Sequence, residues 1–461
     1  MRRAPSLIYD AGMSRLSILE ISAGCIWSNV RAEPPDVAPA RRAGLSRLVR
    51  AFFTLSDEGK RGSLARAIEK AASGSVPAVA RAIRRAELWS DASPRIERFA
   101  VRLPGSRTVS IECSYPEGYD PAFAYPVLIC LPHVGDSPAR TLTLVRRALG
   151  ESIRGFALAS PARLASASFH LAGNSAGDFT MLLRELRRRI HIDSDRLFLF
   201  GSGTGGDAAW LAAMFHPDDL AGAIVLASYP HVPYAAQTLP FLLRNLRRVP
   251  VLTVWAEPRA GDTSLRRLAE VAQNRAIRRI ADDADLPITS LEIASDRLDA
   301  RGFLESDVRA ILAGRRAAIP TEASLWFRYP QQGKIAWLRQ TRFAGEVWEA
   351  PELSIRPAPG ADRDLFITNT LQRKMAYLSG RIEGQTIDIT ARRCRRVELA
   401  LREDLIDLTR PVTVRCNGKI RYEGLIEPDV ATLLESAYAD WDFQRPAVAR
   451  FSFSIKRPRS R

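Results

Sequence analysis

From Ile96 onward, short apolar runs alternate with longer amphipathic stretches, and this alternation sets the expected architecture. Every residue of 126–131 is apolar, as in a strand buried on both faces of a parallel sheet. Further strand-like runs recur at 156–159, 196–200, 223–227, 251–255 and 287–293. Between them lie stretches of helical period at about 139–149, 180–189, 207–215, 265–281 and 304–314. Ahead of them, 96–103 and 108–115 read as a hairpin around Pro104-Gly105. Strands alternating with helices mean βαβ units, so residues 95–318 are expected to form an α/β domain with a mainly parallel sheet flanked by helices.

The flanks follow other periods. Residues 1–40 read as a disordered linker, with prolines at Pro34, Pro35 and Pro39. Over 41–94, Leu45, Leu48, Val49, Phe52 and Phe53 recur at helical spacing, Ser56-Asp57-Glu58 resembles a helix start, and Leu64, Ile68, Val79 and Ile83 continue the theme. A prefix of two to four small helices is expected. Over 319–461, strand-like runs return at 323–328, 334–339, 346–349, 365–368, 386–391, 396–401 and 411–415. Asn417-Gly418 between two such runs signals a type I′ hairpin. With one helix at about 430–439 and a closing strand at 448–455, this segment reads as an all-β, sandwich-like C-terminal domain.

Charge alters the picture less than its size suggests. The formal net charge is +16, almost all of it from arginine, since the only lysines are Lys60, Lys70, Lys334, Lys374, Lys419 and Lys456. The arginines are scattered, without an aromatic-interleaved patch, so a nucleic-acid partner is not expected. Five widely spaced cysteines (Cys25, Cys113, Cys130, Cys394 and Cys416) with no C-x-x-C argue for reduced thiols over a disulfide framework or zinc site. No metal and no cofactor is expected. No window approaches the ~18 apolar residues of a membrane helix. The basic start Met1-Arg2-Arg3 lacks a following apolar core, so a cytoplasmic location is expected, with Met1 or Met13 as the first residue.

The strand at 196–200 runs into Gly201-Ser202-Gly203-Thr204-Gly205-Gly206, and an Ala-rich helix leaves it. Upstream stand Tyr115-Pro116-Glu117-Gly118-Tyr119-Asp120, Tyr125-Pro126-Val127-Leu128 and Ile192-Asp193-Ser194-Asp195-Arg196-Leu197; downstream stands His216-Pro217-Asp218. In this order the segments resemble the α/β-hydrolase superfamily, in the branch of esterases, polyhydroxybutyrate-depolymerase-like esterases and prolyl-oligopeptidase-type peptidases. The resemblance covers about 96–317. It implies the α/β-hydrolase fold, with the glycine-rich turn as the nucleophile elbow, G-x-S-x-G.

Placed in that motif, the nucleophile position is Gly203, which has no side chain to attack with. Ser202 stands one residue early and Thr204 one late, where the family uses its backbone N–H in the oxyanion hole. The family's histidine follows the last strand, but Asp296-Arg297-Leu298-Asp299-Ala300-Arg301-Gly302-Phe303 holds none. His231 is the remaining candidate near the cleft. The acid position falls near Glu257 or Asp262, and Pro132-His133-Val134-Gly135 replaces the glycine-rich oxyanion loop. Serine acyl transfer needs nucleophile, base, acid and oxyanion donors together.

The expected state is therefore a catalytically degenerate hydrolase keeping a cleft around Gly203, Thr204, Gly205, His133 and Val134. Helix-terminal amides there would suit a small carboxylate, ester or peptide end. The rival expectation is a working carboxylesterase or peptidase using Ser202 with His133 or His231. A third is a basic interaction protein acting through its β-domain on an unidentified protein partner.

Overall fold

The computed structural model describes residues 39–89, 95–162, 175–230, 240–258, 261, 264–347, 360 and 362–455. The expected linker, up to residue 38, lies outside them, as do Cys25, His170, His231 and Asp262. Three helices open the described chain: α1 (Pro39–Thr54), α2 (Glu58–Ala71) and α3 (Val76–Arg84). Asp57 caps α2 by accepting from the Lys60 amide, and Ser75 caps α3 in the same way through Ala78.

A hairpin of β1 (Ile96–Leu103) and β2 (Arg107–Ser114) leads into alternating strands and helices. In order these are β3 (Tyr125–Leu131), α4 (Pro138–Leu149), β4 (Ala157–Pro161), α5 (Asp178–Arg189), β5 (Ile192–Ser202), α6 (Thr204–Phe215), β6 (Gly222–Leu226), α7 (Pro240–Leu243), β7 (Val251–Ala256), α8 (Leu265–Asp283), β8 (Ile288–Ile293) and α9 (Glu305–Leu312). The eight strands form one sheet in the order β1-β2-β4-β3-β5-β6-β7-β8. β2 runs antiparallel to both its neighbours, and from β4 through β8 every pairing is parallel. The run 126–131 is buried throughout, and so are β6 and β7, because helices cover both faces. Helices α4 and α9 pack on one face with Leu128, Phe198, Ile224 and Leu252. Helices α5, α6 and α8 cover the other, with Val127, Leu197, Leu199 and Val225.

Beyond residue 318 the chain makes two further sheets. Their strands are β9 (Glu322–Phe327), β10 (Lys334–Ile335), β11 (Leu338–Phe343), β12 (Ala376–Glu383), β13 (Thr386–Arg392), β14 (Cys394–Leu401), β15 (Val412–Cys416), β16 (Lys419–Gly424) and β17 (Ala449–Ser454). One sheet runs β10-β11-β14-β17 and the other β16-β15-β13-β12-β9. Asn417 (φ 51°) and Gly418 (φ 73°) turn β15 into β16, as the type I′ signal required.

The segment is β-rich and not all-β. The expected strand at 365–368 lies inside helix α10 (Arg363–Lys374). Asp362 caps it by accepting from the Leu365 amide, and Ile367 and Leu371 are buried one turn apart. So short an apolar run fits either period. The run at 334–339 is two strands, folded back at Ala336 (φ 50°). No strand forms at 346–347, and 348–349 lie outside the described residues. β12 was not expected, because Gly380 interrupts its apolar pattern. The glycine is required there: a Cβ would lie 2.6 Å from Trp337.

Several contacts among the described residues tie this segment to the rest. β9 packs on the α5/α6/α8 face, with Trp326 stacked edge-on to Phe241 and Asn245 bonded to the Trp326 backbone. Helix α11 (Val430–Asp440) shares a core with α1–α3, where Phe52 and Phe53 meet Tyr438 and Trp441. Beneath the sheet Arg316 joins Asp195 (3.0 Å) to Asp442 (2.7 Å), and Arg445 reaches Asp195 (2.8 Å).

Candidate functional site

The elbow forms where β5 ends and α6 begins. Gly203 has φ 54° and ψ −121°, a conformation outside the left-handed helical well and strongly disfavoured for any residue with a Cβ. Its amide donates to the Leu226 carbonyl (2.9 Å), which holds the turn against β6. Gly205 lets α6 approach β3 closely, since a Cβ there would lie 2.1 Å from the Leu131 carbonyl oxygen. Much of the glycine content of the turn is thus demanded by backbone packing.

A Cβ built on Gly203 would lie 2.5 Å from His133 Nδ1. The imidazole stands where a nucleophile's side chain would begin. It is held there by the elbow itself: the Thr204 amide donates to Nδ1 (3.2 Å), and the Thr204 hydroxyl lies 3.3 Å from the same nitrogen. That hydroxyl accepts in turn from the Val134 amide (2.8 Å). The chain of bonds places the ring proton on Nε2 and lets the hydroxyl donate to Nδ1. The amides of Thr204 and Val134, the two donors an oxyanion hole would use, are therefore both engaged by side chains. An incoming oxygen reaches the Thr204 amide only if His133 turns away, and the Val134 amide only if the Thr204 hydroxyl does.

Ser202 faces elsewhere. It lines a cavity of about 350 Å³ at the carboxyl ends of β5, β6 and β7, the edge where α/β sheets bind ligands. Leu144, Leu226, Leu298 and Phe303 give the cavity apolar walls, and Arg147, Arg267 and Glu270 supply charge. Arg147 donates to the Leu298 carbonyl (3.0 Å), and Arg267 donates to the Glu257 carbonyl (3.2 Å) and the Ser295 hydroxyl (3.0 Å). The Ser202 hydroxyl bonds to no described residue. Glu257 lies exposed in the loop after β7, anchored through its backbone to Ile293 and Ser295. His231 and Asp262 lie outside the described residues. Of the other described histidines, His191 stacks on Trp89 with ring centroids 3.8 Å apart, and His216 is buried at the far end of α6, where burial pushes it down to about 4.

A buried polar chain braces the elbow helix from behind. Ser228 donates to Asp207, Asn274 donates to the Ser228 carbonyl (3.1 Å), and Thr253 donates to Asn274 (3.0 Å). Sequence reading missed this chain and the cavity's arginines. Thr253 in the middle of an apolar strand was the available signal.

Strand order, the single antiparallel strand and the elbow after β5 define the α/β-hydrolase fold. No family model and no curated protein matches the chain. Among solved structures it is similar to a thermostable esterase, at 15% identity and a TM-score of 0.38, covering 48% of this chain and 64% of that one. It is also similar to the MPT51 protein of Mycobacterium tuberculosis, at 15% identity and a TM-score of 0.36, covering 48% and 97%. A third is an S-formylglutathione hydrolase from Staphylococcus aureus, at 12% identity and a TM-score of 0.34, covering 48% and 98%. These likenesses span about half of this chain and are too distant to carry a substrate across. Among the described residues no helix is long and apolar enough to cross a membrane.

Proposed function

We infer that this protein is a catalytically degenerate hydrolase, one that binds a small ligand beside the elbow and does not cleave it. The observation that supports this best is the place of His133, whose ring fills the start of the nucleophile's volume while both neighbouring amides are engaged. A serine needs a base within hydrogen-bond reach and donors for the developing oxyanion. His133 here accepts from an amide and offers neither. The ligand in this reading has an apolar body with a carboxylate, ester or peptide end. Leu144, Leu298 and Phe303 would take the body, and Arg147 and Arg267 the polar end. Residues 41–94 and 319–461 are its flanking units.

Thermal shift with octanoate and with an acetylated dipeptide tests this. The reading expects Tm to rise with ligand concentration, and to rise less in an Arg147→Ala, Arg267→Ala chain. No shift with either ligand would count against it.

One observation favours a second reading, an active esterase or peptidase. Ser202 carries a hydroxyl, unbonded to any described residue, on a cavity of substrate size. Its test is turnover of p-nitrophenyl esters, abolished by Ser202→Ala.

A further inference from the structure

The arginines are scattered along the sequence, but the sheet β10-β11-β14-β17 gathers Arg339, Arg342, Arg396 and Arg450 on one face. Side chains alternate along a strand, and directly opposed residues share a face. On β14, Val397 and Leu399 are buried, so Arg396, Glu398 and Ala400 point outward. The register carries that face to both neighbouring strands. On β11, Arg342 stands opposite Arg396 and Arg339 opposite Glu398. On β17, Ser454, Ser452 and Arg450 stand opposite Arg396, Glu398 and Ala400. All four arginines are exposed, and none of their guanidinium groups has a hydrogen bond or ion pair with a described residue. From strand spacings they span about 14 Å along β14 and about 10 Å across the sheet.

Like charges directly opposed, as Arg342 and Arg396 are, destabilise a sheet. Lys334, opposite Arg339, is neutralised by Asp440. Glu398 is the one carboxylate on this face among the described residues, so the four arginines leave three positive charges over. Such a surplus calls for an anionic partner. The remaining side chains decide which. Ala400, Ser452 and Ser454 are small, and among the described residues no aromatic or large apolar side chain stands on the face. It therefore offers neither the stacking platform that holds single strands nor the apolar anchors of a protein interface. Guanidinium and serine hydroxyl groups both bond phosphate and sugar. An open sheet surface has no element to enter a deep groove, whereas the wide, shallow minor groove of an A-form duplex displays its 2′-hydroxyls. We propose that this sheet face docks the sugar–phosphate backbone of double-stranded RNA, without reading its bases. It shares no residue with the elbow cavity, and the proposal does not depend on how that cavity is used.

Fluorescence anisotropy tests it, with a labelled RNA duplex of about 20 base pairs titrated by the full chain at about 50 mM salt. The duplex should bind with a Kd of about 10 μM or tighter. Arg339→Gln, Arg342→Gln, Arg396→Gln and Arg450→Gln together should weaken it about tenfold or more and flatten the salt dependence by about one unit of slope for each arginine. Arg47→Gln, Arg102→Gln, Arg154→Gln and Arg279→Gln together remove the same charge from exposed arginines on other elements, equally without partners, and should weaken it by no more than about threefold. Glu398→Gln should tighten binding, because it removes the one carboxylate of the face. A DNA duplex of the same sequence should bind about tenfold more weakly, since its minor groove is narrower and it lacks the 2′-hydroxyls. No binding of the RNA duplex, equal weakening by the two quadruple variants, or equal affinity for the DNA duplex would each overturn the proposal. So would displacement of the RNA by an equal charge of poly-glutamate, which would mark an acidic protein as the partner.

Discussion

Replacing Gly203 by serine writes the hydrolase nucleophile back into the elbow, and here it should damage the protein without activating it. Two costs follow from the geometry. The serine must adopt φ 54°, ψ −121°, where a residue with a Cβ is strained by about 1–3 kcal/mol. Its Cβ would stand 2.5 Å from His133 Nδ1, so the imidazole has to leave. The Thr204 amide then loses its acceptor, a loss of about 1 kcal/mol. The sum is a destabilisation of about 2–4 kcal/mol for Gly203→Ser. Urea unfolding followed by far-UV circular dichroism measures it, with the slope unchanged and the midpoint lowered. Adding His133→Gly removes the clash and leaves the backbone strain and the unpaired Thr204 amide, a loss already counted in each single variant. The double variant should be less destabilised than the two single variants summed, by about 1–2 kcal/mol. Neither variant should turn over p-nitrophenyl acetate, because no described histidine is placed as a base. A Gly203→Ser chain within about 0.5 kcal/mol of the parent, or one that acquires esterase activity, would refute the argument that His133 occupies the site.

Three further outcomes follow from buried polar groups. Arg316→Ala leaves Asp442, only 7% exposed, short of its nearest cation, and should cost about 3–5 kcal/mol by urea midpoint; a change below about 1 kcal/mol would contradict the role given to this cluster. Asn274→Ala strands the Thr253 hydroxyl and the Ser228 carbonyl, and should cost about 2–4 kcal/mol, whereas the exposed Glu257→Ala should be neutral in the same assay. His216 sets a pH dependence. Burial holds it near 4 in the folded chain, against about 6.5 when unfolded, so the unfolded chain takes up its proton first as pH falls. Its contribution is intact above pH ~6.5, and about 3 kcal/mol is lost between there and pH ~4. Replacing it with phenylalanine should flatten that part of the stability profile.

The fold was legible where burial dictates composition. The run at 126–131 could only be a strand covered on both faces, and Asn417-Gly418 could hardly be anything but a tight turn. Legibility failed where a local pattern admits two periods, as in the run at 365–368, or where a distant side chain decides, as Trp337 does for Gly380. The elbow shows the same division. Its strand, glycines and helix are local and readable, and so is the absence of a side chain at Gly203. That His133 enters the vacated volume and binds the elbow's own amide depends on a contact across 70 positions, which no local pattern encodes. The sequence placed His133 and Val134 in the loop after the third strand; what it could not tell is that both bond Thr204.

The central claim is that the elbow has no nucleophile to present. It is tested most directly by incubating the full chain with a fluorophosphonate and weighing the intact protein. The account predicts no adduct at neutral pH under conditions that label a serine esterase to completion. A stoichiometric adduct mapped to Ser202 or Thr204 would contradict it.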